Sequence, residues 1–432
     1  MRSPIPDYLD GALQSVAADE SGAPADYIPE LAGADPDRLA VAVCTIDGAR
    51  YTAGDVGVEF SIQSISKPFV YALALADRGF EAVLEKVWVE PSGDAFNELS
   101  LDPETSRPLN PMINAGAITT NSLAGAPEMD AAARHERIVD GLSAFAGRRL
   151  SVDDAVFESE MNTAYRNRAL ANLLRANGII EEDPIVAVAA YTRQCSLSVT
   201  TEDLAVMAAT LANGGVHPVS GAPVVSRAVA RQVLSVMATC GMYDGAGDWM
   251  TRVGVPAKSG VSGGLIGALP GQVGISTFSP RLDRHGNSVR GLDLFERFTA
   301  DMGMHLMEVP PATTTVIRSD RVHHAPAGDV RVVSLQGALQ FSGAEQVVRY
   351  FADKEIEEHR IALALVRVQS VNDVARRMVL EVIRRLSLEG HEVFLIDPDQ
   401  VIPDPDPGTG GSVVVLHSLQ DLLPLRRRRA AE

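Results

Sequence analysis

Apolar and polar residues in the last third of the chain alternate in a way that predicts three β-strands and two helices. The runs 329–335, 361–366 and 392–396 are rich in aliphatic residues, which is typical of strands. The segments 343–354 and 371–386 repeat apolar residues at helical spacing, which predicts amphipathic helices. The strand–helix–strand–helix–strand order favours a small α/β domain of roughly 110 residues.

The chain before residue 308 has a different texture. It is rich in Gly, Ala and Asn, with long helical stretches between irregular polar motifs, and the run 265–275 resembles a strand. The segment 308–315 is predicted to be a linker, because its paired prolines interrupt both helix and sheet. A chain of 432 residues is expected to form two or three domains. We predict one domain over residues 1–308 and a second over residues 314–420.

The composition is that of a globular protein with a negative net charge. Hydrophobic residues make up 46% of the chain and charged residues 22%, so it can bury apolar cores. The 56 acidic residues outnumber the 38 basic ones, and the formal net charge of -18 argues against binding to nucleic acid or to an anionic membrane. The short basic run 426–429 is interpreted as a solvated terminus.

No sequence feature predicts export, membrane insertion or a metal centre. The first residues lack the apolar segment of a signal peptide, and no apolar run reaches about 18 residues. Cys44, Cys195 and Cys240 are far apart, which indicates buried thiols in a reducing compartment. The nine histidines form no H-E-x-x-H or comparable ligand pattern. We therefore expect a cytoplasmic protein that needs no metal or other cofactor.

Lysine is rare, and its positions are informative. The chain has four lysines, Lys67, Lys86, Lys258 and Lys354, and arginine carries the remaining basic charge. Arginine keeps its proton at working pH, whereas a buried lysine can lose it and act as a base. Ser64 and Lys67 form an S-x-x-K motif immediately before the apolar stretch 69–75, which predicts a helix start.

Ser64 at such a helix start could be a nucleophile. A neutral Lys67 could accept its proton, the helix dipole favours negative charge on its oxygen, and its own N–H can stabilise an oxyanion. The alternative is chance, since S-x-x-K is expected about once in a chain of this length. A second motif, Lys258-Ser259-Gly260, precedes the strand-like run 265–275. S-x-x-K followed by K-[ST]-G is the ordered pair of penicillin-binding proteins and serine β-lactamases, although their middle motif has no convincing equivalent here.

Longer motifs are spread collinearly over residues 20–295. They are the segments 27–32, 41–48, 63–67, 91–93, 110–117, 194–196, 207–215, 240–244, 257–264, 279–283 and 286–289. On these motifs the chain resembles the serine-dependent glutaminase family. The resemblance implies an α+β catalytic domain with a β-lactamase/penicillin-binding-protein-like fold, in which an antiparallel sheet packs with a helical cluster. It also implies hydrolysis of L-glutamine to L-glutamate and ammonia.

The resemblance further implies a role for individual residues. Ser64 would form a glutamyl ester, Lys67 would be the general base and Tyr243 would relay a proton. The backbone N–H groups of Ser64 and Val261 would form the oxyanion hole, and Lys258 would support the site. The substrate would be held by Tyr27, Gln63, Ser64, Asn114, Glu160, Asn167, Tyr191, Tyr243 and Val261.

Several of these residues also have simpler interpretations. A carboxylate at Glu160 suits the ammonium group of an amino acid, but it could equally be a solvated charge. Asn114 could cap a helix, and Tyr191 and Tyr243 could be core aromatics. The family usually has Gly-Asp where this chain has Ala164-Tyr165, which leaves the geometry between Glu160 and Asn167 open.

The C-terminal pattern resembles a STAS domain, the fold of anti-sigma factor antagonists. The features that match are the segment 337–341 after the first strand and the helix start at 370–373. Antagonists carry a phosphorylatable serine at that helix start, where this chain has Asp373. The resemblance implies a regulatory or interaction domain with a possible protein partner.

Two other functional classes fit the sequence less well than a cytoplasmic glutaminase. A β-lactam-processing acyltransferase would need an export signal, and a non-catalytic binding protein would not need Ser64, Lys67 and Lys258 intact. Soluble enzymes are commonly closed symmetric oligomers, so a homodimer or homotetramer is expected.

Overall fold

The computed structural model describes residues 3–92, 101–308, 316–324 and 328–422. The chain divides into two compact units, Met1–Glu308 and Val309–Glu432. The basic run 426–429, the linker residues 309–315 and the last residue of the segment 91–93 lie outside the described residues.

The first unit combines an antiparallel sheet with many helices. Its strands are β1 Ala40–Thr45, β2 Arg50–Gly54, β3 Phe60–Ser61, β4 Ser198–Val199, β5 Ala257–Ser259, β6 Gly264–Leu269 and β7 Val273–Phe278. Its helices are α1 Ile5–Val16, α2 Pro29–Ala32, α3 Ser66–Arg78, α4 Phe80–Lys86, α5 Asn114–Leu123, α6 Ala131–Ala146, α7 Asp154–Thr163, α8 Tyr165–Ala176, α9 Pro184–Cys195, α10 Thr201–Ala212, α11 Arg227–Cys240, α12 Ala246–Arg252 and α13 Val289–Met302. Short 3-10 helices cover Gln63–Ile65 and Tyr243–Gly245.

The five-stranded sheet has the order β2-β1-β7-β6-β5, and every neighbouring pair is antiparallel. This confirms the predicted mixed α+β architecture with an antiparallel sheet and a helical cluster. Strands β3 and β4 pair separately, next to the turn that carries Ser64.

Alternation along β1 shows how the sheet is sandwiched between helices. Val41 and Val43 belong to one apolar cluster with residues of α1 and α13, whereas Ala42 and Cys44 belong to another with residues of α10. The α10 side uses small residues because the helix lies very close to the sheet. A Cβ atom on Gly274 would be 2.1 Å from a backbone nitrogen of α10, so only glycine fits there.

The strand predicted over 265–275 is wrong in extent. The structure has two strands there, β6 and β7, which pair with Leu269 opposite Val273. The turn between them contains Pro270 and Gly271, and Gly271 has a φ of +74°, which favours glycine. The run is apolar on both sides of this turn because both strands are completely buried.

The second unit contains the predicted strand–helix–strand–helix–strand order. Its elements are β8 Ile317–His323, β9 Val330–Leu339, α14 Phe341–Asp353, β10 Arg360–Val371, α15 Asp373–Leu388, β11 Glu392–Ile396, β12 Val414–Leu416 and α16 Leu419–Leu422. The sheet order is β12-β11-β10-β9-β8, in which β9 to β12 are parallel and β8 is antiparallel. One core lies between the sheet and the helices α14 and α15, and a smaller cluster that includes Leu422 of α16 lies on the other face.

Several features of this unit differ from the prediction, among them β9, which extends to Leu339 beyond the predicted end at residue 335, and the unpredicted helix α16. Strand β8 was not predicted because its sequence, IRSDRVH, lacks an apolar run, as expected of an edge strand. The edge strand β12 is only three residues long and was likewise missed. Strand β10 extends to Val371, beyond the predicted end at residue 366, and continues to pair with β9 after a bulge.

Candidate active site

Ser64 and Lys67 lie where the S-x-x-K motif predicted them, at the start of a helix. Ser64 is half-buried in the 3-10 turn Gln63–Ile65, and α3 begins two residues later. Lys67 is completely buried, and its Nζ donates to the carbonyl oxygen of Met112 at 3.0 Å and to Oδ1 of Asn114 at 2.7 Å. Burial lowers the pKa of Lys67 to about 7, so a substantial fraction of this side chain is a neutral amine near neutral pH.

The Lys258-Ser259-Gly260 motif lies directly beside this turn. A Cβ atom on Gly260 would be 3.1 Å from the side chain of Ile65, so the end of β5 packs against the residues around Ser64. Lys258 is completely buried, and its Nζ donates to the carbonyl of Ser259 at 2.7 Å. Burial and then the positive charge of Lys67 hold the pKa of Lys258 well below its usual range.

Tyr243 connects these two motifs. The Nζ of Lys258 lies 3.9 Å from its ring centroid and the Nζ of Lys67 lies 5.6 Å from it. Its hydroxyl lies close enough to Ser64 for the two groups to interact. Burial raises the pKa of Tyr243, and the interaction with Ser64 acts in the opposite direction. Tyr243 therefore lies beside the two lysines and is not fully buried in the apolar core.

Asn114 is at the centre of a second group of polar side chains. Its Oδ1 accepts from Lys67 and from the hydroxyl of Tyr191, at 3.3 Å, and its Nδ2 donates to Oδ1 of Asn167 at 2.9 Å. The capping residue of α5 is Ile113, and Asn114 is the first residue inside the helix, so its side chain is not a helix cap. Tyr191 is buried, but its hydroxyl faces this polar group rather than the core.

Glu160 is not a solvated charge. Its Oε1 accepts from the hydroxyl of Tyr27 at 2.9 Å and from Nε2 of Gln63 at 3.1 Å. Burial raises the pKa of Glu160, and these two hydrogen bonds act in the opposite direction. Gln63 is buried and Tyr27 is 44% exposed, so this group runs from the Ser64 turn to the protein surface.

A helix break at Ala164 separates Glu160 from Asn167 along the chain. Helix α7 ends at Thr163 and α8 begins at Tyr165, with a ψ of 30° at Ala164 between them. The side chain of Tyr165 is 73% exposed and stacks with Arg168 outside the site. The departure from the family pattern at 164–165 therefore leaves the hydrogen bonds of Glu160 and the hydrogen bond between Asn167 and Asn114 in place.

The backbone N–H groups of Ser64 and Val261 were predicted to form an oxyanion hole. Within the described residues, neither group donates a hydrogen bond to another part of the chain. Val261 follows Gly260, which packs against the Ser64 turn.

The sequence analysis did not predict the buried residues that support the side chains around Ser64 and Lys67. Asn110 shapes the loop before α5, because its Oδ1 accepts from the N–H groups of Met112 and Ile113. The Met112 carbonyl that Lys67 contacts is a backbone group, and it leaves no signal in the side-chain pattern. Gln194 donates to Ser66 in the interior of the unit. A usable signal was present, since the segments 110–117 and 194–196 carry polar residues within otherwise apolar stretches.

Neither a metal-ligand cluster nor a membrane-spanning helix is present in the described residues. No group of three or more His, Cys, Asp and Glu side chains is placed to hold a metal ion there. None of the helices in the same part of the chain is both long enough and apolar enough to cross a membrane.

Comparisons with known proteins associate this chain with one family. The model of the family described as Glutaminase matches residues 22–307. A glutaminase of Corynebacterium glutamicum is 50% identical over 401 residues, which are 93% of this chain and 96% of that protein. A glutaminase of Clavibacter michiganensis is 52% identical over 297 residues, which are 69% of this chain and 90% of that protein.

A solved structure of the protein Mglu in its glutamate form has a similar fold. The TM-score is 0.86 at 44% identity, and the match covers 93% of this chain and all of that chain. With the family model, the curated relatives and the solved structure in agreement, the chain belongs to the glutaminase family and is an enzyme that hydrolyses glutamine to glutamate.

Proposed function

We propose that this glutaminase cleaves the side-chain amide of L-glutamine through an ester on Ser64. The observation that carries the proposal is the environment of Lys67. It lies one helical turn after Ser64, is completely buried, and has a pKa lowered to about 7. A lysine in this state can accept the hydroxyl proton as Ser64 attacks.

The proposed reaction has two steps. The Oγ of Ser64 attacks the amide carbon while Lys67 takes its proton, and the N–H groups of Ser64 and Val261 stabilise the oxyanion. A proton relayed through Tyr243 reaches the amide nitrogen, the C–N bond breaks and ammonia leaves. Water then attacks the ester with Lys67 as the base, which releases glutamate and restores Ser64. Lys258, whose pKa is lowered by burial, supports the site beside the ring of Tyr243.

The remaining polar residues would hold the amino-acid end of the substrate. Glu160 carries the carboxylate for the ammonium group, and its contacts with Tyr27 and Gln63 fix its direction. The amide and hydroxyl groups of Asn114, Asn167 and Tyr191 would bind the α-carboxylate or orient the side chain. The existence of a glutamate form of Mglu, a structure of the same fold, supports a site that fits this product.

Ammonia release from glutamine by the wild type and by Ser64→Ala tests the proposal. We expect the variant to lose activity while keeping its fold. Ser235→Ala, which removes an exposed hydroxyl on α11, is the matched control and should behave as wild type. Near-normal ammonia release by folded Ser64→Ala would contradict the ester mechanism. A nitrocefin assay in parallel tests the β-lactam alternative, for which we expect no turnover.

The second unit is proposed to be a STAS-like domain that binds a protein partner or supports assembly. Its parallel strands, with α14 and α15 on one face, support this assignment. Helix α15 begins at Asp373, and Asn372 caps it by accepting from the N–H of Ala375 at 2.8 Å. An exposed carboxylate at this helix start supplies a constant negative charge, so control by phosphorylation is not needed there. Phosphate found by mass spectrometry on a neighbouring residue such as Ser370 would contradict this fixed-charge role.

Location and assembly complete the proposal. Cys44, Cys195 and Cys240 are buried free thiols, which suits a reducing cytoplasm. A homodimer or homotetramer is proposed because closed symmetric oligomers are common among such enzymes. The mass of the full chain in solution tests the oligomer.

A further inference from the structure

A chain of buried hydrogen bonds lies behind the Ser64 turn. Nδ2 of Asn121 donates to Oε1 of Gln194 at 2.8 Å, and Nε2 of Gln194 donates to Oγ of Ser66 at 2.9 Å. Oγ of Ser66 in turn donates to the carbonyl oxygen of Gln63 at 2.7 Å. Ser66 and Asn121 are 0% exposed and Gln194 is 1% exposed. Helices α5, α9 and α3 supply one member each, so the chain links three helices to one backbone carbonyl.

The direction of every hydrogen bond in this chain follows from its last acceptor. The carbonyl of Gln63 can only accept, so the hydroxyl of Ser66 must donate to it. Gln194 must then donate to the Ser66 oxygen, which turns its own oxygen towards Asn121. A single polar chain with one allowed direction holds its members in one arrangement more firmly than isolated hydrogen bonds do.

The carbonyl at the end of the chain belongs to a residue with an unusual backbone. Gln63 has a φ of +51°, in the left-handed region that residues other than glycine rarely adopt. Such a conformation persists where the surroundings dictate it. Gln63 is held on both sides, because its carbonyl accepts from Ser66 and its Nε2 donates to Ser61 and Glu160. The next residue is Ser64, whose Oγ and N–H directions depend on the backbone of Gln63.

The same three helices also carry the groups around Lys67. Helix α3 carries Lys67 itself, α5 begins with Asn114, and α9 carries Tyr191. The buried chain therefore joins the elements that place the base to the turn that places the nucleophile.

We infer that Ser66, supported by Gln194 and Asn121, is a positioning residue that fixes the left-handed backbone of Gln63 and thereby aims the Oγ and N–H of Ser64 at the substrate. The inference rests on the proposed role of Ser64 as nucleophile. Ser66 contacts neither the substrate nor the reacting atoms in this scheme, so we expect its loss to affect the chemical step more than binding.

Two serine-to-alanine variants test the inference. Ser66→Ala removes the last hydroxyl of the chain. Ser196→Ala removes an equally buried hydroxyl, which donates only to the carbonyl of Thr192 within its own helical turn, and is the matched control. We expect kcat of folded Ser66→Ala to fall by roughly 10- to 100-fold, because small displacements of a reacting group are costly. We expect KM to change by less than about threefold, whereas a variant that merely lost stability would keep kcat per folded molecule. Ser196→Ala should keep both constants near wild type.

A second variant covers the case in which Ser66→Ala does not fold. Gln194→Met keeps the side-chain length but cannot donate to Ser66, and we expect kcat to fall by about 3- to 10-fold with KM nearly constant. A folded Ser66→Ala with the kcat of Ser196→Ala, or an unfolded Ser66→Ala together with normal kcat in Gln194→Met, would overturn the inference. The activity of Ser64→Ala distinguishes this failure from failure of the proposed function. An active Ser64→Ala would show that Ser64 is not the nucleophile, whereas an inactive one leaves only the role of Ser66 in question.

Discussion

The two units differ in what they bury. The first unit completely buries Lys67 and Lys258 and also encloses amide side chains such as Gln63, Asn114 and Gln194. Among the described residues of the second unit, the only fully enclosed polar side chain is Asp397, which accepts from the N–H groups of Val401 and Ile402 and so shapes a loop. Its cores are otherwise apolar.

One lysine from each unit shows how this difference in burial changes the pKa of a side chain. In the first unit, burial lowers the pKa of Lys67 to about 7. In the second unit, hydrogen bonds with Asp320 and Tyr350 raise the pKa of Lys354, whose side chain is 37% exposed. Burying an ionisable group is costly unless it is paired or loses its charge. The first unit bears this cost at two lysines near Ser64, which indicates that the active site lies in that unit.

The largest expected effect comes from making the same substitution in both units. Lys67→Ala should reduce ammonia release by several orders of magnitude, because the serine and its base act together. Lys354→Ala, which breaks an ion pair near the surface of the second unit, should leave turnover near wild type. Steady-state assays on both proteins, with circular dichroism as the folding control, make the comparison. Equal activities would remove the distinction drawn between the two lysines.

The pH profile of the wild type measures the lowered pKa directly. A base must be neutral to accept a proton, and Lys67 binds its proton below a pH of about 7. We therefore expect kcat/KM to fall about tenfold for each pH unit below 7 and to level off above it. Assays between pH 5 and 9 with stability checked at each pH test this. A limb near the ordinary lysine value of about 10.4 would show that Lys67 keeps its proton.

A third prediction separates binding from chemistry within the first unit. Glu160→Gln should raise KM for glutamine by roughly 10- to 100-fold with a smaller change in kcat, because a charged hydrogen bond to the substrate ammonium is present in both ground and transition states. Glu158→Gln, on the same helix but exposed, is the control and should change neither constant. A large fall in kcat at constant KM would instead assign Glu160 to proton transfer.

The smallest expected effect is that of removing the second unit. A chain ending near Met307 should remain folded and active, because every proposed site residue lies in the unit Met1–Glu308. The Clavibacter michiganensis glutaminase, 90% of which matches only 69% of this chain, supports this expectation. Glutaminase activity and mass in solution are the measurements. Inactivity of a well-folded shortened chain would show that the second unit completes the site or its working assembly.

Local sequence determined most secondary-structure elements of this protein and the residue types available for catalysis. The S-x-x-K and K-S-G motifs made Ser64, Lys67 and Lys258 candidate site residues, because few residue types can act as nucleophile and base and lysine is rare here. Apolar periodicity predicted the alternating strands and helices of the second unit, because each of those elements buries one face against a neighbour. It failed at 265–275, where both halves of a hairpin are buried and the turn is short, and at β8, where an edge strand carries polar residues.

Tertiary structure alone decided how those residues are tuned. The pKa of Lys67 depends on burial by distant segments, and the placement of Tyr243 beside two lysines depends on contacts across nearly the whole unit. The Met112 carbonyl, the φ of Gln63 and the polar chain through Gln194 involve backbone groups and long-range hydrogen bonds, which periodicity and motif spacing do not encode. A sequence specifies which groups are present. Their protonation states and orientations follow from the low-dielectric environment and the hydrogen-bond partners that they have only in the folded protein.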